Sequence, residues 1–221
     1  MGALRMNLRA SLYGTAFWGG ILLFLAGCLA ALWSNLTENP ISFFPAVEEV
    51  LSSQTVRLCL PVAAALPYGA AWQEQTATGF WRFSVSRSGR CSASAGKLVV
   101  SWLSGAGAVL LGFLLFLSIT VLILPNQDAV DRLNWRIFPQ IAALAGLYGL
   151  MSVYGALVFR SRIAAWFTPF LICFLLTMLK ERYFPEVRLL DLMNWPAWRS
   201  LIASTVLAAL MLIPMERRLR A

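Results

Sequence analysis

The chain has 221 residues, of which 59% are hydrophobic and only 13% are charged, and its formal net charge is +8. Soluble domains usually carry about a quarter charged residues, so this composition excludes an ordinary soluble globular protein. The basic residues stand at the ends of apolar stretches and form no single cluster, which argues against binding to nucleic acid. The sequence therefore predicts an all-α, polytopic membrane protein whose 221 residues form a single transmembrane domain.

Apolar stretches of about the length of a membrane span recur along almost the whole chain, although the second, fifth and sixth are short. A hydrocarbon core of about 30 Å needs about 20 apolar residues per helix. We place six transmembrane helices at about residues 12–33, 58–72, 98–124, 137–158, 163–179 and 198–215. The first stretch is too long for a cleavable signal peptide and is expected to remain as the first span. The second contains Pro61 and Pro67, each of which removes a backbone donor, so we expect a kink or local unwinding there.

The distribution of charge predicts the orientation in the membrane. With the N-terminus in the cytosol, the inner side holds eleven basic and two acidic residues, and the outer side holds seven basic and eight acidic residues. Cytoplasmic loops carry the excess of Lys and Arg in membrane proteins. We therefore predict an integral protein of the plasma (inner) membrane with both termini in the cytosol.

Two segments on the predicted outer side are longer than simple turns. Residues 37–55 contain Pro40 and Pro45, and residues 180–198 contain Pro185, which suits the first position of a helix. Both segments are interpreted as amphipathic helices on the outer leaflet, and plain loops with aromatic anchors remain the alternative. In the second segment, the expected helix turns Val187, Leu190 and Met193 towards the membrane and Glu186 and Asp191 outward.

Small residues recur in the third and fourth predicted spans. Small side chains at helical spacing let two membrane helices approach closely. We expect helix packing at Gly105 and Gly112 in the third span and at Gly146 and Gly149 in the fourth.

Catalytic chemistry is not indicated. The chain has no histidine, its four cysteines lack metal-ligand spacing, and no Asp, Glu, Lys or Arg falls in the middle of a predicted span. The last point disfavours an ion-coupled carrier, which usually has such groups at mid-membrane depth. A phosphate-binding loop fails as well, because Leu98 follows Gly96-Lys97 and Cys91 stands where the first glycine belongs. We expect no catalytic residue, no metal site and no cofactor on this chain.

The stretch between the second and third spans, residues 72–97, combines aromatic, acidic and basic residues. It offers Gln73-Glu74, then Gly79-Phe80, then Arg82 and Arg87 in a basic Ser/Arg segment, and finally Lys97 at the start of the third span. Together with the span that follows, this order resembles the permease subunits of type-2 ABC transporters of the exporter class. In that family the loop forms a cytosolic coupling helix that sits in a groove of a separate ATPase.

The resemblance implies a function that the chain performs only with partners. ATP and Mg would be held by an ATP-binding cassette ATPase subunit, and a second permease subunit, identical or paralogous, would complete the path through the lipid bilayer. The exported substrate would be amphipathic or hydrophobic, such as a peptide, a drug or a lipid. The residues implied in coupling to the ATPase are Gln73, Glu74, Gly79, Phe80, Arg82, Arg87 and Lys97.

The segment departs from the family pattern in two respects. Gln occupies the place of the usual second acid, and the Ser/Arg segment lacks its usual proline. An ordinary basic interfacial loop is the alternative structural interpretation. The alternative function is a non-transporting membrane scaffold or immunity-type subunit that docks partner proteins.

Overall fold

The computed structural model describes residues 7–9, 11–38, 43–77, 90–124 and 135–218. Within these residues the chain forms helices and no β-strand. The helices are α1 (Thr15–Glu38), α2 (Phe43–Ser52), α3 (Gln54–Ala77), α4 (Arg90–Ile123), α5 (Ile137–Phe159), α6 (Arg162–Arg182) and α7 (Ala197–Arg218). Two short 3₁₀ turns, Arg188–Leu190 and Leu192–Asn194, connect α6 to α7.

Five of these helices, α1, α4, α5, α6 and α7, are long and apolar enough to cross a membrane. A sixth crossing is possible if Ala46–Ser52 of α2 and Gln54–Gly69 of α3, which meet at 67°, form one broken span. The all-helical, membrane-embedded class predicted from the sequence is thus supported, with five or six candidate spans in the described residues.

The helix bounds agree with the sequence where charged residues bracket an apolar stretch. The predicted fourth span, residues 137–158, corresponds closely to α5. By contrast, α3 extends beyond residues 58–72 at both ends, and α4 begins at Arg90 and not at Leu98. Ser, Thr, Gln and Arg are acceptable in helices, so a helix continues past the apolar residues that reveal it in the sequence.

The second span, where we expected a kink or local unwinding, contains no unwound turn. Helix α3 runs through Pro61 and Pro67 without a break, and both prolines are buried. In a membrane protein, neighbouring helices can compensate for the backbone hydrogen bond that proline removes. The chain bends instead at Ser53, where the Val56 N–H donates to Ser53 Oγ at 3.3 Å and so caps the start of α3.

Helices α3 and α5 occupy the centre of the bundle. Helix α3 contacts α1, α4, α5 and α6, and α5 contacts α3, α4, α6 and α7. In the apolar window of α5, 78% of the residues are buried, compared with 22% in α6 and in α7. In α6 and α7 most residues of the apolar window are therefore at least partly exposed, as expected for helices in contact with lipid.

Close helix contacts occur at glycines. A Cβ atom on Gly149 would lie 2.7 Å from the carbonyl oxygen of Ser101. A Cβ atom on Gly105 would lie 2.9 Å from the carbonyl oxygen of Ala64 and 3.0 Å from the carbonyl oxygen of Ala145. These distances are too short for a methyl group, so α3, α4 and α5 approach each other through bare backbone. The Ser101 hydroxyl also donates to the Gly149 carbonyl oxygen at 2.8 Å.

The other two glycines named from the sequence lie at different contacts. Gly112 of α4 faces α1, where an added Cβ would lie 3.1 Å from Phe24 Cδ1. Gly146 of α5 lies under the indole of Trp102, with ring atoms 2.3 Å from an added Cβ. The small residues of α4 thus serve two interfaces, one with α5 and one with α1.

The two segments predicted as amphipathic helices differ from that prediction in different ways. Helix α2 forms within residues 37–55, but Ala46, Val47 and Val50 on its apolar face are buried in the protein core. The second segment forms no α-helix beyond Arg182, because the chain turns at Tyr183 and again at Pro185 and then makes the two 3₁₀ turns. Pro185 therefore lies in a turn and does not open a helix.

Candidate functional site

The segment predicted to couple to an ATPase is described only at its two ends. Gln73 and Glu74 belong to the last turns of α3, which continues as far as Ala77. Lys97 lies in the second turn of α4. The remaining predicted residues, Gly79, Phe80, Arg82 and Arg87, lie outside the described residues.

Lys97 has an environment that the sequence did not indicate. Its exposed fraction is only 4%, and Ser94, Leu98 and Ser101 around it on α4 are buried as well. The first turns of α4 therefore lie inside the bundle and do not form an exposed loop. Since its side chain is covered, Lys97 does not present its ammonium group to a partner in this conformation. The coupling role of Lys97 stays a prediction.

The opposite end of the bundle holds a cluster of polar side chains. There Lys180, in the last turn of α6, forms an ion pair with Asp191, which lies between the two 3₁₀ turns. Asn194 Nδ2 donates to the same carboxylate oxygen, Asp191 Oδ2, at 2.8 Å. The exposed fractions are 29% for the Lys180 side chain and 9% for Asp191. The expectation that Asp191 faces outward is therefore wrong, because its two hydrogen-bond donors hold the carboxylate inside.

Residues 188–195, here called the 188–195 segment, are held in place by hydrogen bonds and by one buried side chain. Gln140 Nε2 of α5 donates to the Met193 carbonyl oxygen at 3.0 Å. Trp195 Nε1 donates to the Leu189 carbonyl oxygen at 3.0 Å within the segment. Leu192 is buried in the main hydrophobic core. These contacts give a non-helical connection a defined position between α5, α6 and α7.

Two clefts lie beside this segment. The larger, of about 550 Å³, is lined by Lys180, Pro185, Asp191, Asn194, Pro196 and Arg199. The smaller recess, of about 180 Å³, lies among α2, α3, α5 and the 188–195 segment, and Asn194 lines both clefts. Its wall is largely apolar but includes Arg57 and Glu48. A concave site with a polar part and an apolar part suits a ligand of the same mixed character.

The ionisation of Asp191 is set by competing effects. Burial raises the pKa of this carboxyl, but the hydrogen bonds from Lys180 and Asn194 and the charges of Lys180 and Arg57 outweigh burial, so the pKa is below its ordinary value of 3.8. A carboxylate that accepts two hydrogen bonds and faces cations is favoured in its charged form. Asp191 therefore remains ionised at any pH near neutrality.

The lowered pKa predicts acid sensitivity at this end of the bundle. Since the unfolded chain has the ordinary value, Asp191 stabilises the fold fully above about pH 4 to 5, and this contribution disappears as pH falls through the folded pKa. We expect the unfolding temperature of the purified chain to drop, as pH falls below about 4, by more than that of the Asp191→Asn variant. An equal drop in the two proteins would contradict the assignment.

Sequence reasoning missed this polar cluster. The available signal was a lysine and an aspartate on opposite sides of a proline turn, with an asparagine three residues after the aspartate. Comparisons add no further information, since the sequence matches no protein-family model, no curated protein and no solved structure. No group of three or more His, Cys, Asp or Glu that could hold a metal occurs in the described part of the chain.

Proposed function

We propose that this chain is the transmembrane permease subunit of an ATP-driven exporter of the type-2 ABC class. A separate ATP-binding cassette ATPase would bind ATP and Mg, and a second permease subunit, identical or paralogous, would complete the translocation path. The substrate would be amphipathic or hydrophobic. In this proposal residues 72–97 face the cytosol, as do both termini, and the protein lies in the plasma (inner) membrane.

The length and contacts of the helices that flank residues 78–89 are the observation that carries the proposal. Helix α4 has 34 residues, which corresponds to about 51 Å at 1.5 Å per residue, against a hydrocarbon core of about 30 Å. Helix α3 has 24 residues and runs unbroken from the same side to the other end of the bundle. Both helices therefore connect residues outside the apolar core directly with the centre of the protein.

The central position of α3 explains how movement at that side could reach the remainder of the bundle. Helix α3 contacts α1, α4, α5 and α6 and is continuous from Gln54 to Ala77. Pressure from an ATPase on the segment after Ala77 would thus shift the contacts of four helices at once. Such a shift between two packed arrangements is the usual basis of alternating access.

The test is co-purification of the full-length tagged chain from its own membranes in mild detergent, followed by identification of the bound proteins. We expect a protein with a nucleotide-binding motif, and we expect Glu74→Lys to reduce its recovery at least about tenfold, because the substitution reverses a charge at the proposed contact. Glu49→Lys is the matched control, since Glu49 is exposed on α2 at the other end of the bundle.

The control separates coupling from general effects of charge. Recovery of the ATPase with Glu49→Lys should equal that of the unmodified chain. If no nucleotide-binding protein is recovered, or if Glu74→Lys retains it fully, the proposed coupling is wrong. Partners recovered without any nucleotide-binding motif would support the scaffold or immunity-type alternative.

A further inference from the structure

We propose that the paired clefts beside the 188–195 segment bind one amphiphile, with its phosphate-ester headgroup in the larger cleft and the start of its apolar chain in the smaller recess. This proposal concerns binding to the purified chain alone. It therefore stands or fails independently of the proposed coupling to an ATPase.

The charges that line the larger cleft favour an anion. Lys180 and Arg199 contribute two cations, and Asp191 contributes one carboxylate. That carboxylate already accepts hydrogen bonds from Lys180 and Asn194 at one oxygen, Oδ2. Among the described residues, no acidic side chain forms an ion pair with Arg199, whose guanidinium carbon lies 5.1 Å from the ring centroid of Trp198. Stacking on an aromatic ring leaves the planar fork of N–H donors at the edge of the guanidinium available for a phosphate group.

The recess also contains a buried hydrogen-bond donor, Arg57 Nε, that has no acceptor in the structure. Arg57 is part of the wall of the smaller recess. Buried polar groups are nearly always hydrogen-bonded, so this donor is available to an acceptor that is supplied from outside the chain. An ester or phosphate oxygen of a ligand that enters the recess would supply this acceptor.

The recess provides the apolar half of the site. Asn194 lines both clefts, so the two clefts lie against the same residue. Apolar side chains from α2, α3, α5 and the 188–195 segment form most of the wall of the recess: Leu51, Leu60, Ile137, Ile141, Leu144 and Met193. A volume of about 180 Å³ holds roughly six methylene groups at about 27–30 Å³ each, judged from the volume of packed small molecules and water. A free phosphate ion would leave this surface unused.

The experiment is equilibrium binding to the full-length chain in neutral detergent micelles, with three probes compared: dihexanoyl phosphatidate, dihexanoyl phosphatidylcholine and inorganic phosphate. We expect phosphatidate to bind at one site at least about tenfold more tightly than either of the others, because only phosphatidate combines an unshielded phosphate with apolar chains. Inorganic phosphate distinguishes a free anion from a lipid headgroup as the source of the phosphate chemistry.

Variants assign the binding to this cleft. Arg199→Gln should weaken phosphatidate binding about tenfold or more, and Arg199→Lys should restore only part of the loss, because lysine retains the charge but lacks the planar fork of donors. Arg182→Gln is the matched control, since Arg182 is an exposed cation of the same helix end as Lys180 and lines neither cleft. Its binding should change less than about twofold. Size-exclusion chromatography and circular dichroism verify that each variant is folded.

Three results would overturn the proposal. If Arg182→Gln weakens binding as much as Arg199→Gln, the attraction is general surface electrostatics. If phosphatidylcholine binds as well as phosphatidate, the cleft does not select an anionic headgroup. If inorganic phosphate binds as tightly as phosphatidate, the recess does not accommodate a chain.

Discussion

Replacing Gly149 by alanine is expected to lower the free energy of unfolding by about 2 kcal/mol, as is typical when a methyl group is forced into a packed core. The added Cβ would lie 2.7 Å from the Ser101 carbonyl oxygen. That oxygen belongs to the backbone of α4, so it can move only if α4 moves away from α5. The movement would also disturb the hydrogen bond from the Ser101 hydroxyl to the Gly149 carbonyl oxygen. Denaturant-induced unfolding of the purified chain in detergent micelles measures the effect.

Gly19→Ala is the control for this substitution. Gly19 lies in α1, and no atom comes within 4 Å of a Cβ built there. Since alanine has the higher helix propensity, this variant should be as stable as the unmodified chain or slightly more stable, by up to about 1 kcal/mol. The adjacent Gly20→Ala should be destabilised, because its Cβ would lie 2.6 Å from the Ala63 carbonyl oxygen. Equal stability of the Gly19 and Gly20 variants would contradict the role given to backbone contact.

Substitution of Lys180 by methionine is the second change with a large expected effect. It should destabilise the fold by about 2 kcal/mol, because Asp191 would keep a nearly buried charge without its main partner. Removing the other member of the pair by Asp191→Ala should lower the free energy of unfolding by less, about 1 kcal/mol. The reason is that the Lys180 side chain is 29% exposed and can turn to water, whereas Asp191 is 9% exposed.

A double-mutant cycle isolates the ion pair from the other contacts of the two residues. The double variant should be more stable than the sum of the single effects predicts, since neither charge is then left alone. Arg182→Met serves as control and should change stability by no more than about 0.5 kcal/mol, because Arg182 is exposed at the end of α6. Additive effects of the Lys180 and Asp191 substitutions would show that the two side chains do not stabilise each other.

The sequence predicted the apolar helices well and their polar extensions poorly. Helix α5 was found almost to the residue because Arg136 and Arg160 bracket an uncharged stretch. The start of α4 was missed because Arg90 to Lys97 is polar, and only tertiary contacts show that Ser94 and Lys97 are buried. Hydropathy describes the preference of a segment for lipid. It does not predict which polar side chains are covered by other helices.

Local rules also failed where neighbouring helices decide the outcome. Pro61 and Pro67 lie within α3 and do not unwind it, since the helix is enclosed on several sides. The polar cluster of Lys180, Asp191 and Asn194 was not predicted. The pairing of Lys180 with Asp191 depends on the turns between them, which helical periodicity does not reveal. The function of residues 78–89 stays a prediction based on resemblance, as these residues lie outside the described part of the chain.

The uneven burial of the helices has a consequence for how the protein responds to its bilayer. Only 22% of the residues in the apolar windows of α6 and α7 are buried, so these two helices expose far more residues to the surroundings than α5 does. A thinner or thicker bilayer changes the preferred tilt of lipid-facing helices first. The Lys180–Asp191 pair and the 188–195 segment join these two helices at one end. A change in membrane thickness would therefore alter the contacts between α6, α7 and the 188–195 segment first. The contacts among the central helices would change less.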